Sequence, residues 1–131
     1  MFSPWFLPTP FARIIQTFSG GLMIRVADPV VLISARHAHR RIELYLFSDD
    51  RDGSLHLLSL SGGQGRLPAV EKGQGPLPDR DNALFVRDAI VVELLRAEYL
   101  QVPADQAVWE VYARGRHRRT LRDRQDLPVQ D

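Results

Sequence analysis

From Asn82 to Leu100 (NALFVRDAIVVELLRAEYL) the chain runs without a glycine or a proline and carries a heavy apolar load. Apolar residues outnumber polar ones on nearly every side, so the stretch needs more shelter than a thin amphipathic stripe. Wound as a helix, Ile90, Val91, Leu94 and Leu95 form its strongest face. Val86, Ala89, Glu93, Ala97 and Leu100 lie along one flank, and Arg87 with Glu98 along the other. The pattern predicts a helix covering a sheet, with a second side shaded by loops or by another chain. Asp79, Asp81 and Asn82 are candidate N-caps, the acids suiting the positive helix end. The helix is expected to end between Leu100 and Pro103. A competing parse makes Ala83 to Arg87 a strand and starts the helix after Asp88.

The rest of the chain must supply the surface this helix covers. With 131 residues, it is one domain by size. Ahead of the sheet, Thr9 and Pro10 suit the start of a short helix, and Gly20-Gly21 its end. Between them Phe11, Ile14, Ile15 and Phe18 repeat with helical spacing and form an apolar face suited to a core cap or a subunit interface. Met23 offers an alternative start that would make residues 1–22 an extension. Leu22 to Val26 and Val30 to Ile33 read as strands around an Asp28-Pro29 turn. In the next strand Ile42, Leu44 and Leu46 alternate with Glu43, Tyr45 and Phe47, one set facing the core. Residues 49–54 (DDRDGS) form a turn, and Leu55 to Leu60 returns as a hairpin partner.

Residues 61–81 contain five glycines and three prolines and read as a long connection, with a short strand around Leu67 to Val70. Beyond the long helix, Ala107 to Ala113 reads as a strand, Arg114-Gly115-Arg116 as a reversal, and His117 to Leu121 as its partner. Residues 122–131 look like a frayed polar tail. The expected architecture is α+β: a mostly antiparallel sheet of five or six strands packed on one long helix, with a short N-terminal helix.

Charge narrows the function classes. The net charge is +1, so no global field announces a polyanion binder. Yet sixteen of the seventeen basic residues are arginine, Lys72 being the exception. Arginine suits bidentate phosphate or carboxylate recognition, although a GC-rich genome also raises its frequency. Two knots stand out. Arg36, Arg40 and Arg41 surround His37 and His39. Arg114, Arg116, Arg118, Arg119 and Arg122 fall close together with no acid among them. In an extended strand Arg116 and Arg118 share a face, and Tyr112 offers a stacking ring. Should both knots meet on one surface, they would form a phosphate-binding patch. The bland alternative is a solvated face, or pairing with the sixteen acids.

Other chemistry finds little support. The chain has no cysteine, which excludes disulfides, thiolate zinc sites and cysteine catalysis. His37 and His39 would share a strand face, but a metal needs further ligands, and the neighbouring arginines oppose a divalent cation. Gly62-Gly63-Gln64 resembles the tripeptide of peptide-chain release factors. The resemblance stops at those three residues, and nothing is carried over. No phosphate loop, nucleophile elbow or close carboxylate pair is present. No apolar run approaches the roughly 20 residues of a membrane span, and Pro4, Pro8 and Pro10 interrupt any apolar leader.

These features favour a non-enzymatic, cytoplasmic protein that needs no cofactor or metal and does not contact a membrane. The leading expectation is a nucleic-acid-binding or nucleoprotein accessory protein using an arginine-rich hairpin. Its phosphate contacts would come from Arg36, Arg40, Arg41, Arg114, Arg116, Arg118, Arg119 and Arg122, with Tyr112 stacking. The alternatives are a protein-interaction or assembly module with an apolar helical interface, self-associating or binding a protein partner, and a small metal-dependent enzyme.

Overall fold

A computed structural model of the protein describes residues 23–37 and 39–115. The strands are β1 (Met23–Arg25), β2 (Val30–Ser34), β3 (Arg40–Asp49), β4 (Leu55–Gly63), β5 (Pro68–Leu77) and β6 (Tyr99–Val102). The long helix α1 (Arg80–Arg96) follows β5. A 3-10 turn (Ala104–Gln106) leads to a second helical segment, α2, over residues 110–115. All strand pairings are antiparallel, and the sheet order is β5-β4-β3-β2-β6. Strand β1 pairs with the far end of β3, so β1 and β2 share one flank of that long strand.

β3 is central because both of its faces are apolar. Residues two apart share a face of a strand. On the even side Ile42 and Leu44 join Val30, Leu32 and Tyr99 against Val91, Ile90 and Leu94 of α1. Leu46 continues that layer with Leu55 and Leu57 against Ala83. On the odd side Tyr45 and Phe47 stack with ring centroids 5.9 Å apart. They pack with Leu58 and Leu60 against Trp109 and Ala113. The sheet therefore lies between α1 and the segment 107–115. Burying a large apolar side chain stabilises by about 1.5–3 kcal/mol. The four odd-face side chains together are worth a good part of the roughly 5–15 kcal/mol that holds a domain folded. The segment 107–115 is thus an integral layer.

Local signals place the turns and caps. Asp79 caps α1, its side chain accepting the N–H of Asn82 at 2.7 Å. After Ala97 the chain reverses through Glu98, which takes the left-handed conformation at φ 67°. Between β3 and β4, Asp49 accepts the N–H of Arg51 and Asp52 that of Ser54, while Gly53 supplies φ 73°. The Ser54 N–H holds the Asp52 carboxyl below its usual range.

This arrangement corrects the α+β order expected from the sequence. One long helix follows five strands of a six-stranded antiparallel sheet, and the expected C-terminal strand over Ala107 to Ala113 is absent. That region enters a helix instead, with the Ala113 N–H bonded to the Trp109 carbonyl. Among the described residues the last strand is Tyr99–Val102, from the end of the expected long helix: the reversal at Glu98 frees those residues to pair with β2. Most of the supposed long connection at 61–81 is strand, because β5 pairs with β4 along its length, with irregularities near both ends. The competing strand over Ala83 to Arg87 is helix. β3 has two buried faces where one was expected. The short N-terminal helix with Phe11, Ile14, Ile15 and Phe18 lies outside the described residues, as do the expected strand over His117 to Leu121 and the 122–131 tail.

Candidate functional site

The two arginine knots do not form one exposed patch among the described residues. Arg36 is exposed in the β2–β3 connection, with a loose 3.8 Å contact to Glu98. Arg40 is exposed at the start of β3. Arg41 points inward and is buried. Arg114 sits at the other end of β3, its guanidinium 5.0 Å from the Phe47 ring centroid. Phe47 is six positions beyond Arg41, roughly 20 Å along a strand. Arg114 is also taken up by Glu110, at 2.9 and 3.1 Å, and by the Met23 carbonyl at 2.9 Å. Tyr112 is exposed on α2. Arg116, Arg118, Arg119 and Arg122 lie outside the described residues.

Arg41 belongs to a buried polar centre that sequence reasoning missed. Glu43, read as the polar side of a strand, is fully buried. Its carboxylate accepts from Arg41 Nε at 2.6 Å and from the Tyr45 hydroxyl at 2.6 Å. It also accepts the backbone N–H groups of Val108, at 3.0 and 3.2 Å, and of Trp109 at 3.0 Å. These two donors stand at the entrance to α2, where a helix leaves N–H groups without partners. A strand carboxylate thus anchors the second helical layer. Arg41 reaches further, donating to Gln64 Oε1 at 2.8 Å and to the Gln106 carbonyl. Its guanidinium lies 6.0 Å from the Trp109 ring centroid, and the indole N–H donates to the Arg66 carbonyl at 2.9 Å. Burial, then the Glu43 hydrogen bond and charge, push the Tyr45 hydroxyl well above the ordinary tyrosine range. The buried charges and donors here answer one another, so the centre is structural in character.

Two other groups of polar side chains carry chemistry-bearing residue types. His37 and His39 are exposed and stand edge to face, 6.0 Å apart. No group of three or more metal-ligating side chains occurs among the described residues. Ser54 Oγ lies 3.1 Å from His56 Nε2, and His56 is buried. A β-carbon added at Gly75 would stand 2.6 Å from His56 Nδ1, so that side of the ring is packed against backbone. Gly62-Gly63-Gln64 is the end of β4 and its turn toward β5.

The exposed feature with the clearest pattern is on α1. Its inner side carries Ala83, Ile90, Val91 and Leu94. At helical spacing, Asp81, Phe85, Ala89, Val92 and Arg96 follow one another along the opposite, outward side. All five are exposed, Phe85 at 73% and Val92 at 45%. Leu95, expected on the buried face, is 46% exposed at the flank of this stripe. The apolar residues on every side of the sequence had signalled a second covered face, and Phe85 and Val92 are where that surplus surfaces.

Among the described residues, no helix is long and apolar enough to cross a membrane. A family model described as PA4575-like protein matches residues 23–130, most of the chain, and the chain belongs to that family. No curated protein and no solved structure matches it.

Proposed function

We propose that this member of the PA4575-like family is a protein-interaction or assembly module whose contact surface is the outward face of α1. The carrying observation is Phe85, a large aromatic side chain 73% exposed in the second turn of a long helix, with Ala89 and Val92 beside it. Single exposed apolar residues are ordinary, but a run at helical spacing on a rigid element fits the helix-face mode of recognition. Aromatic anchors of this kind carry much of the affinity of protein interfaces. The reading is non-enzymatic and takes the cytoplasm as its setting, which cell fractionation tests.

A photoreactive benzoylphenylalanine in place of Phe85 tests the interface in living cells. A discrete cross-linked product is expected there and not from the same probe at exposed Asp105. No product of any mass from position 85 would overturn the reading.

A second reading keeps nucleic acid, on the exposure of Arg36 and Arg40 beside His37 and His39. Phosphate contact makes affinity fall with salt, by a log–log slope of about −0.9 per neutralised phosphate on duplex DNA. Replacing Arg36 and Arg40 together should reduce that slope by about two. Binding that is indifferent to salt would exclude this reading.

A further inference from the structure

We infer that the outward face of α1 pairs with the same face of a second copy of this chain, antiparallel across a two-fold axis near Asp88 and Ala89. The inference rests on the interaction reading above and names its partner. What selects a second copy is the order of residues along the stripe. It begins with an acid, Asp81, passes through Phe85, Ala89 and Val92, and ends with a base, Arg96.

A two-fold interface must be complementary to itself, since each residue meets its counterpart under the same rotation. Laid antiparallel with the axis between Asp88 and Ala89, Asp81 of one copy faces Arg96 of the other, and the reverse contact forms at the opposite end. The same register sets Phe85 against Val92 twice. Ala89, the smallest side chain of the stripe, falls beside the axis, where helices approach to about 8–10 Å. One register thus satisfies both end-charge contacts, in which Arg96 exchanges its exposed 2.9 Å pairing with Glu93 for Asp81, both apolar contacts and the close approach. Asp88, bonded to its own Arg87 at 3.0 Å, stands beside the axis in each copy. A partner of another sequence would need only the apolar centre, and the opposed end charges would be incidental.

Residues 1–22 fit the stripe less well as occupants. The span matched by the family begins at Met23 and contains every residue of the stripe. An occupant drawn from Phe11, Ile14, Ile15 and Phe18 would lie outside that common part.

The dimensions set the strength. From Asp81 to Arg96 the helix rises roughly 22 Å, and a helix is about 10 Å wide. The pair therefore covers on the order of 500 Å² in total, below the roughly 1,200 Å² of stable complexes. The expected dimer is weak and reversible, with its midpoint in the range of about 10–1,000 µM.

Sedimentation velocity on the full chain across that range tests the pairing. Phe85→Glu should weaken self-association by at least about thirtyfold, with the circular dichroism spectrum unchanged because position 85 is open to solvent in the single copy. Charge variants then test the register. Asp81→Arg alone and Arg96→Asp alone place like charges at both ends, and each should self-associate at least about tenfold more weakly than the native chain. Mixed in equal amounts they meet with opposite charges at both ends, and the mixture should return to within about threefold of the native midpoint.

Three results would overturn the pairing: a native chain that stays monomeric to 1 mM, a Phe85→Glu variant that still dimerises, or a mixture no stronger than its components. Cross-linking from position 85 to a different protein, with a monomeric chain in solution, would overturn self-pairing and leave the interaction reading standing. Failure of that broader reading is the separate case of no cross-link at all.

Discussion

Replacing Glu43 by glutamine tests whether the second helical layer is held to the sheet by one carboxylate. The substitution conserves shape and keeps one acceptor oxygen but removes the charge opposite Arg41. Arg41 is itself buried and bonded to Glu43 at 2.6 Å. Removing one partner of a buried pair costs about 3–5 kcal/mol, because the other charge stays desolvated without its counterpart. The amide also offers one acceptor oxygen where the carboxylate offered two to Arg41, Tyr45, Val108 and Trp109. A loss near 4 kcal/mol would move the urea midpoint by about 2 M at a slope near 2 kcal/mol/M. Adding Arg41→Met to Glu43→Gln removes the stranded cation while leaving an acceptor for the helix entrance. The double variant should therefore be more stable than Glu43→Gln alone, and with Arg41→Met alone as the remaining corner the cycle should give a coupling of about 1–3 kcal/mol. Urea unfolding followed by circular dichroism measures the cycle, and amide exchange at residues 108–113 should quicken first in Glu43→Gln. A loss below 1 kcal/mol, or two substitutions whose effects merely add, would refute the reasoning.

Other perturbations follow from the same geometry. Tyr45 is raised by burial and by Glu43, so it stays protonated in the folded chain at pH values where the unfolded chain ionises, above about 10. Its contribution is complete below that pH and is lost as pH rises toward the folded-state value, by about 1.4 kcal/mol per pH unit. Tyr45→Phe should flatten that alkaline decline in urea titrations between pH 9 and 11, while lowering stability at pH 7 by about 1 kcal/mol for the missing hydrogen bond. Glu98→Gly should raise the urea midpoint, worth about 0.5–1 kcal/mol, since glycine takes φ 67° without strain; its exposed 3.8 Å contact with Arg36 offers little to lose. Gly75→Ala should destabilise by more than 1 kcal/mol, because its β-carbon would stand 2.8 Å from the Leu55 carbonyl oxygen and 2.6 Å from His56 Nδ1; a variant as stable as the native chain would show that the β4–β5 edge yields freely.

How far these features could be read in the sequence depends on whether their cause was local. The hairpin of β3 and β4 was legible, since alternation and a turn rich in aspartate and glycine both lie within it. So was the core of α1, with Asp79 among its expected caps. The end of α1 was not. Glu98 reverses the chain without the glycine that normally marks such a position, and Tyr99 to Val102 could be assigned only by knowing that β2 has a free edge beside it. β5 was concealed because glycine and proline signal a connection, whereas at a sheet edge their weak strand preference is tolerated.

The candidate site failed to be legible for a related reason. Arginines counted along the chain carry no record of which way they point. Arg41 follows Arg40 by one position, and the period of the strand sends one to solvent and the other into the core. Once inside, Arg41 needs a carboxylate, and Glu43, two positions on and on the same face, is placed to meet it. Glu43 in turn receives the helix entrance at Val108 and Trp109, so residues 65 and 66 positions away in sequence settle what a basic knot is for. The outward stripe of α1 escapes this difficulty, because its residues belong to one helix and their common direction follows from its pitch alone. That is why Phe85 and Val92, rather than the arginines, carry the functional proposal: their exposure follows from local geometry once α1 lays its other side on the sheet.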